Sequence, residues 1–255
     1  MNLRALLAML GRDAHVARRN FIPLLLQTML QPILFVFVFG RVLTASGFMR
    51  ADYRMLLLPG IIAISMVMSG IQGVAMPLLA EFQWTREIED RLLAPVEVEW
   101  VAIGKVVAGA IQALAAGLVV IPAAWVVMGG LGLSGDHLLF FAALAVLVAC
   151  MAASIGLALG CSVGQTNIGL MFSLVIAPMI FFGCTYYPWK ALEPFPVIQW
   201  AVLVNPMVYA SEGLRAALVP AFPHLSSAAV LIALLGFNAV FLGVGIRQFR
   251  KKAVS

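Results

Sequence analysis

The feature that most constrains this chain is a series of six apolar segments, each long enough to cross a membrane as a helix. A bilayer core about 30 Å thick requires roughly 20 residues of α-helix. Backbone groups in lipid must bond within their own segment, which a helix achieves. The sequence therefore predicts an all-α integral membrane fold with six transmembrane helices, at residues 22–42, 56–80, 101–128, 138–163, 168–186 and 228–246.

The composition agrees with a membrane fold and excludes several other classes of protein. Of the 255 residues, 63% are hydrophobic and 11% are charged, whereas a soluble domain has about 25% charged residues. An ordinary soluble enzyme, a disordered chain and a nucleic-acid-binding domain are therefore excluded. The three cysteines are irregularly spaced in apolar runs, so neither a disulfide framework nor a metal site is predicted.

The distribution of lysine and arginine predicts the orientation, because these residues gather in cytoplasmic loops. With the N-terminus inside, eleven of the 16 lie on the inner side and five on the outer side. Four of the inner ones form the C-terminal tail, namely Arg247, Arg250, Lys251 and Lys252. Both termini are therefore predicted to be cytoplasmic, and residues 1–255 are predicted to form a single transmembrane domain.

Two segments on the predicted inner side have the pattern of amphipathic helices. Residues 1–19 place leucines at helical spacing among arginines, which predicts a helix lying in the membrane interface; a frayed basic terminus is the alternative. Residues 81–100 hold six of the eleven acidic residues. There, Thr85 can cap a short helix that Pro95 ends. This helix is either a docking handle for a cytoplasmic protein or a solvated loop helix, and the pattern leaves both open.

The predicted outer segment, residues 187–226, is long and rich in proline. Asn205 and Pro206 predict a helix cap and first turn. Glu212 and Arg215 follow on the same helix at a spacing of three. Short helices that re-enter the outer leaflet before the last span fit this pattern and could close the outer end of a pathway. A packed cap over the bundle is the alternative.

Three glycines repeat every four residues at the end of the fourth span: Gly156, Gly160 and Gly164. Small residues at this spacing let another helix approach closely. We expect this contact to be a packing seam within the subunit rather than a contact between subunits.

The predicted spans contain no deep Asp, Glu, Lys, Arg or His, the residues that usually mark ion paths and proton relays in membranes. The G-x-x-x-x-G-K-[ST] loop of ATPases is also missing, since Gly104-Lys105 is followed by Val106. The chain is therefore predicted not to be an enzyme. Energy for uphill transport would have to come from another polypeptide.

Three motifs, in their order and spacing, resemble a known family. They are Leu58-Pro59-Gly60-Ile61, then Arg86 to Val96 with Gly104-Lys105 after it, and then Asn205 to Ala210 leading to Gly213-Leu214-Arg215. Over nearly its whole length the chain resembles the membrane subunit of type-2 ABC exporters, which includes daunorubicin-resistance-type and nodulation-type lipo-oligosaccharide export permeases. It departs from that family at Ile88-Glu89, where a Gly-Thr pair is usual.

The resemblance implies partners and site residues. It implies a coupling helix seated on a cytoplasmic ATPase subunit, formed by Arg86, Glu87, Ile88, Glu89, Asp90, Arg91 and Leu92. The N-terminal helix would also contact that subunit, which would bind ATP and magnesium, so that the permease itself carries no cofactor. A permease homodimer in the bacterial inner membrane is implied as well. The outer residues of interest are Asn205, Pro206, Tyr209, Glu212 and Arg215.

We therefore expect a permease subunit of an ABC exporter that moves an amphiphilic substrate outward, namely a drug, a lipid, or a glycolipid or polysaccharide. Two alternatives from other classes stay open at this point. One is a channel or secondary carrier that works alone, without ATP. The other is a membrane scaffold that recruits a cytoplasmic protein through residues 81–100.

Overall fold

The computed structural model describes residue 11 and residues 33–35, 37–47, 53–82, 98–128, 137–164 and 167–254. Five helices of more than ten residues lie in these ranges: α1, Tyr53–Ala80; α2, Val98–Met128; α3, Leu138–Ser162; α4, Pro206–Leu218; and α5, Ser227–Val254. No strand occurs among the described residues. The predicted all-helical fold is confirmed for this part of the chain.

Four of these helices, α1, α2, α3 and α5, are long and apolar enough to cross a membrane. They correspond to the second, third, fourth and sixth predicted spans, with ends that differ by a few residues for all but α5. That helix continues beyond residue 246, through the cationic tail to Val254. The predicted count of six spans and the predicted orientation of the termini stay predictions.

The fifth predicted span, residues 168–186, is shorter than the sequence indicates. Helix Ile168–Met171 passes into a π-helical turn, Phe172–Ile176, and then into helix Ala177–Phe181. These fourteen residues rise only about 21 Å, which is less than a bilayer core of about 30 Å. The helix ends at Phe181, and the chain then turns, with Cys184 in the left-handed region at φ 52°. We call residues 168–181 the interrupted helix.

The first predicted span lies only partly within the described residues. Its end forms the π-helical turn Val38–Val42, followed by a short helix, Leu43–Ala45. The rings of Phe35 and Phe39 pack against Tyr186, with centroids 5.4 and 6.2 Å away. The proposed interfacial helix at residues 1–19, apart from Gly11, and the acidic loop at 83–97 lie outside the described residues.

Helix α1 lies at the centre of the bundle and α5 at its edge, since α1 is the most buried of the four long helices and α5 the least. A seam of small residues joins α1 to α3. A Cβ atom on Gly156 would lie 2.7 Å from the Ile71 carbonyl oxygen, and one on Gly160 would lie 3.0 Å from the Ala75 Cα. The predicted glycine seam is confirmed within the subunit for these two glycines, whereas Gly164 faces open space.

Helices α1, α3 and α5 run in one direction and α2 runs in the opposite direction, so the bundle has two distinct ends. One end, the Glu81 face, brings together Glu81, Lys105, Ser162 and Lys252. The other end, the Glu212 face, brings together Tyr53, Tyr186, Glu212 and Leu225. Charged side chains that are buried occur at both faces.

Candidate functional site

Helix α4 begins as the sequence predicts. The Asn205 side chain accepts a hydrogen bond from the Met207 backbone N–H at 3.0 Å, and Pro206 occupies the first helical position, where a missing N–H costs nothing. The Asn205 Nδ2 also donates to the Met179 carbonyl oxygen at 2.7 Å. The Tyr209 hydroxyl donates to the Leu203 carbonyl oxygen at 2.9 Å. The cap therefore fixes both the start of α4 and its position against the interrupted helix.

Glu212 and Arg215 form an ion pair on α4, and both side chains are fully buried. The spacing was predicted, but the burial was not. Taking two charges out of water is favourable only if further hydrogen bonds satisfy them. Here the Glu212 Oε1 accepts from the Trp189 N–H at 3.0 Å and its Oε2 accepts from the Leu225 N–H at 2.8 Å. Arg215 donates to the Cys184 carbonyl oxygen at 3.0 Å.

The Glu212–Arg215 pair therefore joins four parts of the chain: α4, the turn at Cys184, the start of the outer segment and the approach to α5. Burial lowers the pKa of the Arg215 guanidinium from its ordinary value, and the adjacent Glu212 carboxylate opposes that change. This arrangement is a structural tie rather than a relay, because each carboxylate oxygen is occupied by a fixed donor.

The turn after the interrupted helix is tied to the start of α1. The Tyr53 hydroxyl donates to the Tyr186 carbonyl oxygen at 2.8 Å. A Cβ atom on Gly60 would overlap the Thr185 carbonyl oxygen, so the two backbones touch at a position that only glycine allows. This contact gives a physical reason for glycine in the Leu58-Pro59-Gly60-Ile61 motif.

An apolar groove of about 620 Å³ opens beside the interrupted helix. Its walls come from α3, the interrupted helix, the outer helix Pro196–Ala201 with the residues after it, and α5. Among the described residues that line the groove, Asn205 has the one polar side chain. The oxygen and the nitrogen of its amide both already form hydrogen bonds within the protein. A ligand in this groove must therefore present an apolar surface to the protein.

A second buried ion pair lies at the Glu81 face. Lys105, in the second turn of α2, pairs with Glu81, which follows the last residue of α1. Sequence reasoning missed this pair, because Lys105 was counted among the inner flanking cations. Antiparallel neighbours bring the end of one helix beside the start of the next, but the sequence does not show how the two helices align, and the pairing depends on that alignment.

The predicted coupling residues, Arg86 to Leu92, lie outside the described residues. The flanks of that loop are described, and both emerge at the Glu81 face, with Phe82 on one side and Glu99 on the other. The predicted outer residues are all described. Asn205 is bonded to the interrupted helix at Met179, and the Glu212–Arg215 pair is bonded to the turn at Cys184.

Comparison of the sequence with known proteins identifies the family of the chain. Residues 4–219 match the ABC-2 type transporter family. The chain is also 27% identical over 217 residues to the inner membrane transport permease YadH of Escherichia coli strain K12, covering 83% of this chain and 81% of that protein. The same figures hold for the permease of that name in Escherichia coli O157:H7 and in Shigella flexneri. With its apolar spanning helices, the chain is thus a multi-pass inner-membrane protein and a transporter membrane subunit, and it belongs to the ABC-2 type transporter family.

Proposed function

We propose that the chain is the permease subunit of an ABC exporter, in which a separate ATPase subunit drives an amphiphilic substrate outward across the inner membrane. The observation that carries the proposal is the family match over residues 4–219. This match includes the proposed coupling residues, Arg86 to Leu92, and the outer residues from Asn205 to Arg215.

The Glu81 face is the cytoplasmic face in this proposal. The cations Arg247, Arg250, Lys251 and Lys252 lie at this end of α5, where the positive-inside rule favours them. The loop at 83–97 connects α1 to α2 at the same face. Its residues Arg86 to Leu92 would contact the ATPase, which would bind ATP and magnesium.

The outer segment would enter the outer leaflet and close the far end of the pathway. Every residue of α4 except Tyr209 is buried. The helix Pro196–Ala201 and the turn after it expose apolar side chains instead, with Val197 83% exposed and Val204 78% exposed. Such a surface is unfavourable in water and suits the hydrocarbon of a membrane.

Two structural features support an amphiphilic substrate and an external source of energy. The groove beside the interrupted helix is lined by apolar residues, which suits the apolar part of an amphiphile. Both buried ion pairs, Glu81–Lys105 and Glu212–Arg215, hold their charges against an opposite charge. Movement driven by nucleotide hydrolysis in a partner requires no free carboxylate in the spans.

A second copy of the chain would complete the pathway as a homodimer. The interrupted helix exposes Leu170, Leu174 and Phe181 by 55%, 71% and 66%. This face is apolar and can contact either lipid or the same face of a second copy. The homodimer itself is proposed because the chain belongs to this transporter family.

The test is reconstitution in proteoliposomes of the permease with an ABC ATPase subunit that copurifies with it. Uptake into inside-out vesicles would be followed with a fluorescent phospholipid and with a lipophilic dye. Movement of either probe should require both proteins and hydrolysable ATP, and an ATPase variant that binds but does not hydrolyse ATP should abolish it.

Two results would contradict the proposal. Accumulation of a probe by the permease alone, driven by a proton or sodium gradient, would identify a secondary carrier. Stable binding of the ATPase, without ATP-dependent movement of any probe and without stimulated hydrolysis, would identify a scaffold.

A further inference from the structure

The last turns of α5 have one buried face and one exposed face, although the sequence there looks uniformly cationic. Phe249 is fully buried, and Lys252 is partly buried. The neighbouring cations Arg247, Arg250 and Lys251 are exposed. A cationic tail that served only to set the membrane orientation would need no buried aromatic residue. Residues 245, 249 and 252 share a helix face by their spacing.

This buried face contacts the end of α1. The rings of Phe249 and Phe82 meet edge to face, with centroids 5.8 Å apart. The Lys252 ammonium lies 4.8 Å from the centre of the Phe82 ring, within the range of a cation–π interaction. Phe82 is the last described residue before the loop at 83–97. The end of α5 therefore holds the residue from which that loop departs.

The same end of α5 also contacts α3 and the far side of the loop. The Lys252 ammonium lies 3.5 Å from the Gly160 carbonyl oxygen, and the Gln248 side chain accepts a hydrogen bond from the Ser162 hydroxyl. Arg250 and Glu99 lie 4.0 Å apart and are both exposed. An exposed pair at this distance adds little, so the contacts of Phe249 and Lys252 dominate.

We propose that Phe249 and Lys252 are positioning residues that hold the end of α1 against α5 and α3, and so transmit movement from the ATPase into these helices. We call these two residues the C-terminal clamp. The inference rests on the proposed function, which it deepens. The clamp lies outside residues 4–219, the range that matches the family.

The clamp couples movement of the loop at 83–97 to α5 and α3. Movement of the loop pulls first on Phe82, because this residue follows the last turn of α1. With the clamp intact, Phe82 cannot move without Phe249 and Lys252, so α5 and α3 move with α1. Without it, the ATPase would move the end of α1 alone.

The test compares four variants of the full permease–ATPase complex in nanodiscs. Lys252→Met keeps the length of the side chain and removes its charge. Lys252→Arg restores a cation over the ring. Phe249→Ala removes the aromatic contact. Lys251→Met is the matched control, since it removes one adjacent but exposed charge. The readouts are the affinity of the ATPase for the permease, the melting temperature, and the stimulation of ATP hydrolysis by the permease.

Lys252→Met should reduce the stimulation of hydrolysis by roughly threefold to tenfold, the size expected from loss of a partly buried cation–π contact. Its melting temperature and the affinity of the ATPase should stay close to those of the wild type. Lys252→Arg should restore stimulation, and Lys251→Met should leave it unchanged. Phe249→Ala should lower the stimulation of ATP hydrolysis at least as much as Lys252→Met does.

Equal stimulation by Lys252→Met and Lys251→Met, in complexes of equal stability, would overturn the clamp. The proposed function fails differently, because then the wild-type permease itself would neither bind the ATPase nor stimulate hydrolysis. The clamp would also be overturned if stimulation and melting temperature fell in parallel across all four variants. In that case Phe249 and Lys252 would only stabilise the packing of the helices.

Discussion

Glu212 and Arg215 lie one turn apart on α4, paired with each other and fully buried. Their remaining hydrogen bonds go to the backbone of three other segments. A carboxylate that looks like a break in an apolar stretch of sequence is in fact the point at which the outer segment is held together.

Replacing Glu212 by glutamine should destabilise the protein strongly. The substitution leaves the buried Arg215 guanidinium without a counter-charge, and breaking a buried pair costs about 3–5 kcal/mol. Thermal unfolding of the purified protein in detergent measures the effect. Glu193→Gln is the control, because Glu193 is an exposed carboxylate in the same outer segment. Removing both charges, in Glu212→Gln with Arg215→Met, should recover part of the loss, and equal melting of Glu212→Gln and the control would contradict the structure.

Gly60→Ala should separate α1 from the turn at Thr185. The new Cβ atom would overlap the Thr185 carbonyl oxygen, and overpacking of this kind costs about 1–3 kcal/mol or more. Gly236→Ala is the matched control, since a Cβ atom there meets nothing within 4 Å. The melting temperature should fall for Gly60→Ala and should stay the same or rise slightly for Gly236→Ala, because alanine favours a helix interior more than glycine does. If the two variants have the same melting temperature, the contact between Gly60 and Thr185 is not as close as described.

Glu87→Ala with Asp90→Ala should uncouple transport from ATP hydrolysis without affecting membrane insertion. The two acidic residues lie in the loop proposed to contact the ATPase, and loss of a coupling interaction typically changes a linked process by roughly fivefold or more. Probe movement and ATP hydrolysis would be measured in the same proteoliposomes. Glu97→Ala, in the same loop but outside residues 86–92, should have a smaller effect. Unchanged transport by the double variant would count against a coupling role.

Reversing the exposed cations of α5 should disturb membrane orientation more than it disturbs turnover. Arg247→Glu with Lys251→Glu alters charges that lie away from the clamp, and cytoplasmic cations set orientation. A cysteine placed at Ser255, in a background without Cys150, Cys161 and Cys184, reports the side on which the C-terminus lies. Labelling by an impermeant maleimide from outside should rise in the variant. Labelling of the unaltered chain from outside would show that the predicted orientation is wrong.

Helices α1, α2 and α3 could be predicted to within a few residues at each end, because a long apolar run in a membrane protein has few alternatives to a helix. The cap at Asn205 and the glycine seam were also predictable, since each depends on neighbours along one helix or on the size of one residue. The C-terminal end of α5 could not be predicted as well, because the hydropathy of the sequence falls at Arg247 although the helix continues to Val254.

The contacts that hold the two faces together could not be read from the sequence. Glu212 is satisfied by backbone N–H groups at Trp189 and Leu225, and a sequence shows no such partners. The same holds for Glu81 with Lys105, whose pairing depends on how two helices align. The length of the fifth span was overestimated, because the apolar sequence continues through residues 182–186. There the helix has already ended and the backbone turns.

The contact between Gly60 and Thr185 restricts relative movement of two segments at the Glu212 face. It joins main chain to main chain, so no rotamer change of a side chain can release it. We therefore expect the first turns of α1 and the turn after the interrupted helix to move together, with the Tyr53–Tyr186 hydrogen bond as a second tie between them. If the proposed export pathway opens at this face, we expect it to open by tilting of these helices rather than by movement of a single side chain.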